Sequence, residues 1–339
     1  MKNNSRGHRR HRRHPSNWSG PRLRCLLAPL VLLIVLMLVP SHAAAVPQQT
    51  LRIGLMPAVN SIPLIVADAE GFFADEGIDV TLQMFHNQLY RETALQTGQI
   101  DGTVSDMINA INAWSGGFSV QVTSVTDGLF ALVTAPRSRI RSIEDWKLQR
   151  VQSVRVGLLE DSIIFYSAER MLEAHGADPA KIRPVSTLQV PTRMEMVVAG
   201  QLEAAMLPEP ITRIALQRGA HLIADSSVME QTPGVLLFTP RAVAEKSDAI
   251  RAFYRAYDRA VAAVNADPDA FRDVLIDRGG FPPAVRDTMI IPRFQNARVP
   301  KPAEFDDVVD WMRRKGLLLG RPDYHDVVNA AILGESAEN

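Results

Sequence analysis

Cysteine is almost missing from this chain. The single residue, Cys25, opens an N-terminal apolar run, and no thiol follows it. That excludes disulfides, cysteine-ligated zinc, iron–sulfur clusters and a cysteine nucleophile from everything after it. It does not exclude an oxidising compartment, because a large core needs no disulfides. Histidine is scarce as well: after residue 45 there are only His86, His175, His221 and His325. No Gly-x-Ser-x-Gly elbow, His-Glu-x-x-His pair or P-loop occurs, so the chain offers little to an enzyme. No enzyme, cofactor or metal site is expected.

Acidic residues are absent from the first 24 positions, which carry Lys2, Arg6, Arg9, Arg10, Arg12, Arg13, Arg22 and Arg24. The formal net charge of zero conceals this. Without those eight, 29 basic residues face 37 acidic ones, a net of −8. A sequence-independent nucleic-acid binder needs the opposite sign, because phosphate contacts supply its affinity. The apolar run at 25–39 is also short. It holds 15 residues, where a membrane-spanning helix needs about 20. Pro40 ends it, and Ala43-Ala44-Ala45 supplies an A-x-A cleavage pattern. Residues 1–45 therefore read as a secretory signal peptide, with an uncleaved anchor as the alternative.

Hydrophobic residues make up 46% of the 339. That is more than one small domain needs, and two lobes are the default. The clearest unit is residues 51–85. It holds a strand at 51–56, a helix at 61–74 with an apolar face of Ile62, Ile65, Val66, Ala69 and Phe73, and an alternating strand at 78–84. A helix at 89–97, a short strand entering Asp106, a helix to Trp114 and strands at 120–125 and 129–134 follow. This alternation implies a parallel sheet with crossover helices. The grammar repeats from 154 to 224. Gly98-Gln-Ile-Asp-Gly and Gly200-Gln-Leu-Glu-Ala occupy matching places. After a strand at 235–239 the chain reads as helices at 242–246, 248–266, 268–278, 303–315 and 324–333. The expected division is residues 46–136 for the first part of lobe 1, 137–231 for lobe 2, and 232–339 for a return to lobe 1 with C-terminal helices. The lobes would be joined near 134–139 and 229–234.

In open α/β sheets, ligands bind beyond the carboxyl ends of the strands. That selects Asn60 and Ser61, Phe85, Ser105 and Asp106, Asp161 and Ser162, and Glu209. Each of the polar ones could instead cap or charge-stabilise the helix that it opens. Phe85 could equally be core. These loops hold Asp106, Glu160, Asp161 and Glu209 but no Lys or Arg; Arg91 and Arg193 lie one turn into helices, within reach. The carboxylates favour a neutral or amine-bearing ligand, with a ring stacked on Phe85. Helix N-termini alone can still hold an anion.

The stretches 51–85, 97–111 and 204–210 resemble the periplasmic substrate-binding proteins of ABC importers. The type includes binders of aliphatic sulfonates, taurine, nitrate and thiamine-pyrimidine precursors. The carrying residues are the strand followed by Pro57, Ser61 and Pro63-Leu64, then Ala-Glu-Gly-Phe-Phe-Ala-Asp-Glu-Gly-Ile-Asp-Val, Gly-Gln-Ile-Asp-Gly and Leu-Pro-Glu-Pro. The resemblance implies an α/β venus-flytrap fold of type II-like layout, closing on a small molecule by hinge bending. It also implies a periplasmic monomer that hands its ligand to a permease and an ATPase. The ligand would be a pyrimidine or thiamine precursor, or an alkylsulfonate. A ligand-sensing module for a membrane signalling partner and an enzyme of the same fold are the alternatives.

Overall fold

In the computed structural model the described residues are 50–148, 150–187, 189–229 and 233–334. The expected signal peptide lies outside them. Strand β1, Thr50–Leu55, leads into a 3-10 turn at Val59–Ser61 and helix α1, Ile62–Ala69. The apolar periodicity continues past Ala69, but the helix does not. Gly71 sits at φ 73, in the left-handed region where glycine carries no steric cost. The chain turns there and restarts as α2, Phe72–Asp75. The restart lays Phe73 flat on Phe253, with ring centroids 5.5 Å apart. Strand β2, Asp79–Met84, then precedes α3, Gln88–Gln96; β3, Gly102–Asp106, precedes α4, Met107–Ser115; and β4 is Gln121–Thr126.

The second α/β run has β5, Phe130–Thr134; α5, Ile143–Lys147; β6, Val154–Leu158; α6, Ile163–Ala174; β7, Ile182–Ser186; α7, Val190–Val198; β8, Ala204–Pro208; α8, Ile211–Gln217; and β9, His221–Asp225. Strand β10, Gly234–Phe238, is followed by α9, Pro240–Ala266; α10, Arg272–Asp277; α11, Pro302–Arg314; and α12, Tyr324–Val327. The expected C-terminal helices differ in two places. Residues 242–246 and 248–266 join into α9, kinked at Lys246 (φ −132, ψ 27). The kink carries the Lys246 ammonium to Asp101, 3.0 Å away. Residues 324–333 do not form one helix: Val328 leaves it to bridge Val122, and Asn329 N–H donates to the Val122 carbonyl at 2.9 Å.

Two five-stranded sheets result, ordered β2-β1-β3-β10-β4 and β7-β6-β8-β5-β9. The parallel expectation holds for β1 with β2 and β3, and for β6 with β7 and β8. Each sheet also contains a reversed strand. β10 runs antiparallel to β3 and β4, and β5 runs antiparallel to β8 and β9. Both arrive straight from the other lobe without a crossover helix, and a direct entry reverses direction. The strand at 129–134, which sequence leaves in the first lobe, therefore belongs to the second. The chain passes between lobes across residues 127–129 and returns between Asp225 and Gly234.

Each lobe has its own apolar core. Leu51, Ile53, Leu55, Ile62, Phe253 and Tyr257 belong to the first, and Val197, Leu202, Ala205 and Leu207 to the second. A third cluster runs through both lobes, joining Ile108 and Ile111 of α4, Phe165 and Tyr166 of α6, and Phe305 and Trp311 of α11. Among the described residues, no helix is long and apolar enough to cross a membrane.

Candidate ligand-binding site

A cavity of about 290 Å³ lies between the sheets. Its first wall is Met56, Pro57 and Ala58 after β1, and His86, Asn87 and Gln88 after β2. The facing wall holds Leu159 and Ser162–Ile164 after β6, Gln189–Pro191 and Arg193 after β7, and Pro208 and Ile211 after β8. All of these segments leave the carboxyl ends of parallel strands, where the loops between strand and helix open a crevice. Among the described residues, no aspartate or glutamate lines this cavity.

Helices α6 and α7 aim their N-termini at the cavity. Neither N-terminus is closed by a side-chain cap. The Ser162 hydroxyl turns away from its helix and donates to the Leu159 carbonyl at 2.6 Å. Gln189, preceding α7, has an extended backbone and makes no capping bond. Apart from Pro191, which has no N–H, and Phe165, whose N–H donates to the Ser162 carbonyl at 3.1 Å, the backbone N–H groups of these first turns are thus available to a ligand, together with the positive end of each helix dipole. Helix α3 differs. Asn87 Oδ1 accepts from Leu89 N–H at 2.8 Å, which closes that end.

Arg193 dominates the charge. It is fully buried on the first turn of α7, and its aliphatic stem crosses strand β6 at Gly157. A Cβ on Gly157 would stand 3.0 Å from Arg193 Cγ and 2.5 Å from Leu202 Cδ1. The glycine is what lets the stem pass. Nε and Nη2 donate to the Thr187 carbonyl at 3.2 and 2.6 Å, and Nη1 donates to the Met206 carbonyl at 2.9 Å. These three bonds use three of its five N–H donors. Among the described residues it has no carboxylate partner. Burial pushes its pKa down to about 10, so it remains a cation at neutral pH.

The structure scatters the residues that the sequence singles out. Ser162 lines the cavity. Asn60 sits half-buried in the 3-10 turn, outside the cavity wall. Ser61 is fully buried, and its hydroxyl donates to the Met56 carbonyl at 2.8 Å, holding the turn in place of a ligand. Phe85 packs on the cluster shared by the lobes, and its N–H extends the β1–β2 ladder to Leu55 O at 2.8 Å. Asp161 is exposed. Glu209, 1% exposed before a cis Pro210, accepts from Arg213 Nε at 2.8 Å. Its Oε2 has no partner among the described residues, and burial pushes its carboxyl up against the opposing pull of Arg213. The carboxylates that favoured an amine-bearing ligand thus stand outside the wall, and the arginine left in reserve stands in it. One local signal pointed there. Gly157 interrupts the buried apolar strand Val154–Leu158, and an isolated strand glycine marks a close approach by something.

Ser105 and Asp106 are buried behind the cavity. Asp106 caps α4, accepting from Asn109 N–H at 2.9 Å and from Asn109 Nδ2 at 2.6 Å. Asn109 Oδ1 in turn accepts from Gln88 Nε2 at 3.0 Å, which ties the cap to the cavity wall. Burial raises the Asp106 pKa from 3.8 to about 6; the Asn109 N–H and Arg91 oppose this, and Glu92 adds to it. The native state therefore holds the proton more tightly than the unfolded chain. Stability from this group is complete below about pH 3.8 and is lost as pH rises through about 6. The ceiling is about 3 kcal/mol. Asp106→Asn keeps a capping acceptor without the charge. We predict that urea midpoints of wild type and this variant coincide near pH 4, and that the variant is the more stable at pH 7.5. A wild-type advantage at pH 7.5 would reject this account.

A larger cavity, about 670 Å³, opens beside the returning chain between α6 and α11. Its arginines are neutralised locally, Arg170 by Glu173 and Asp307 and Arg298 by Glu304. The smaller cavity is the better candidate because it combines strand-end placement, uncapped helices and a cation without a counter-charge.

The fold is that of known binding proteins. The ligand-binding component of an ABC-type import system from Staphylococcus aureus, solved with zinc bound, superposes with a TM-score of 0.72 at 15% identity, covering 86% of this chain and 100% of that one. The alkanesulfonate-binding protein SsuA from Xanthomonas axonopodis, bound to MOPS, gives 0.67 at 19% identity over 82% and 97%. The nitrate-binding protein NrtA from Synechocystis gives 0.67 at 13% identity over 84% and 87%. The fold is thus the two-lobe fold of periplasmic binding proteins, as the resemblance implies. No curated protein matches in sequence. The family model described as NMT1/THI5 like matches residues 58–271, more than half of the chain; the chain belongs to that family.

Proposed function

We propose that this protein is the extracytoplasmic solute-binding component of an ABC importer. It captures a small organic anion with an apolar body between its lobes and delivers it to a membrane permease. The observation that carries this reading is Arg193, a buried guanidinium in the cavity wall with three carbonyl bonds and no carboxylate partner among the described residues. Burying a charge without a counter-ion costs several kcal/mol, about what a bound anion returns. The helix N-termini of α6 and α7 add donors for the same group. Ile163, Ile164, Val190 and Ile211 supply apolar surface for the rest of the molecule. The sulfonate- and nitrate-binding proteins of this fold also take anions. The N-terminal pattern of a basic segment, an apolar run and small residues supports export.

A thermal-shift series on the purified protein tests the ligand class. Alkanesulfonates and aliphatic carboxylates should raise the melting temperature in proportion to the logarithm of their concentration. Stabilisation by aminopyrimidines or amines, with none by the anions, would overturn the anion reading.

A further inference from the structure

The two lobes carry the same arginine, and among the described residues only one of the two has a counter-charge. In the first lobe Arg91 occupies the first turn of α3, and its stem crosses β1 at Gly54, where a Cβ would stand 3.3 Å from Arg91 Cγ and 2.5 Å from Ile100 Cδ1. In the second lobe Arg193 crosses β6 at Gly157 beside Leu202 in the same way. The surroundings repeat too. Asp101 accepts from Arg52 N–H at 2.9 Å, and Glu203 accepts from Arg155 N–H at 2.9 Å. Gln88 lies one turn before Arg91, and Val190 one turn before Arg193; both line the cavity.

The local charge breaks this correspondence. Arg91 Nη2 meets Glu92 Oε1 at 2.7 Å and Ser105 Oγ at 3.3 Å. The buried Asp106 carboxylate acts on the same guanidinium through space. In the second lobe the residue after the arginine is Met194, and Leu207 stands where the first lobe has Ser105. One copy is therefore masked by acid, and the other is open.

Resting on the anion reading above, we infer that Glu92 is a specificity-determining residue. By neutralising the first lobe's copy of the cleft arginine, it restricts the ligand to one negative charge. The anionic head is held by the second lobe at Arg193, and the far end of the molecule, facing Gln88 one helical turn from the masked Arg91, must be neutral. A second anionic group there would find no net positive charge, because Glu92 and Asp106 behind the Gln88 wall already offset Arg91, and an unpaired anion next to acidic groups selects against a ligand.

Titration calorimetry with alkanesulfonates and alkane-α,ω-disulfonates of matched chain length tests this. Wild type should bind the monosulfonate at least about tenfold more tightly than the disulfonate. Glu92→Gln, isosteric and uncharged, should bring that ratio below about three, chiefly by tightening the disulfonate. Adding Arg91→Met to Glu92→Gln should remove the gain, assigning it to the unmasked guanidinium. Equal wild-type affinities for the two ligand types would overturn the inference without any variant. So would an unchanged ratio in Glu92→Gln while monosulfonates still bind; the anion reading would then stand. If wild type binds neither ligand, the anion reading itself fails, and the inference fails with it.

Discussion

Replacing Arg193 with methionine should weaken anion binding at least about 30-fold, equivalent to 2 kcal/mol or more, while the fold survives. The two effects separate for a physical reason. In the unliganded protein the guanidinium is desolvated with no carboxylate partner among the described residues, so its removal relieves a buried charge. Its loss also leaves the Thr187 and Met206 carbonyls without those donors, which costs about 1–3 kcal/mol each if they stay buried. These terms oppose one another, and the methionine fills much of the vacated volume. Net stability should therefore move far less than affinity. With ligand bound, the balance differs. The anion would lose the guanidinium in the cavity wall and keep the helix N–H groups and uncharged polar side chains. Calorimetry on wild type and variant, with urea unfolding of both, measures the two quantities. A variant that binds anions within threefold of wild type would place the anion elsewhere. A variant that fails to fold would show that Arg193 serves the second lobe's structure, and a lysine replacement retaining the charge would then have to carry the binding test.

The largest stability loss should come from Trp311→Ala, at about 3–5 kcal/mol. Trp311 is 2% exposed on α11 and packs edge-on to Phe165 and Tyr166 of α6, with centroids 5.9 and 5.5 Å away. Its indole N–H donates to Glu169 at 2.7 Å, and Lys315 reaches the same carboxylate at 2.5 Å. Alongside it, Asp307 joins Arg170 at 2.6 Å and the Tyr166 hydroxyl at 2.5 Å. Helix α6 belongs to the second lobe, whereas α11 also packs on α4 of the first. The truncation thus opens a cavity where the lobes meet and leaves Glu169 with Lys315 alone. Trp311→Phe, which keeps an aromatic ring and loses the donor, should fall between wild type and alanine, because the buried carboxylate loses one bond. Denaturant unfolding of the three proteins gives the order. A loss below about 1 kcal/mol for alanine would show that the cluster collapses around the missing ring.

Helix α6 links the cavity to the Trp311 cluster. The N-terminal turn of α6 lines the ligand cavity through Ser162, Ile163 and Ile164, and its later turns carry the contacts to α11. A ligand that orders the first turn therefore acts on an element already tied to the other lobe. Hinge closure needs such an element, one whose position both the ligand and the lobe contact can bias.

Local chemistry in the sequence determined most of the elements. The alternation at 78–84, the apolar face of the helix after β1 and the βαβ spacing each specify their own few residues, so the two α/β runs were legible without any fold. The missing thiols and the charge balance narrowed the function in the same direct way. The tertiary structure decided what depends on distant partners. Gly71 breaks a helix that periodicity carries through, because the restart seats Phe73 on Phe253. Residues 129–134 read as one more strand of the first lobe, yet they pair with β8 and β9, because strand pairing is set by which edge the chain reaches. The site followed the same rule. Sequence placed Ser61, Asp106 and Glu209 at strand ends but could not show that the Met56 carbonyl, Asn109 and Arg213 already engage them. It left Arg193 one turn into its helix. Only the packing of that side chain across Gly157 brings an uncompensated charge to the cavity.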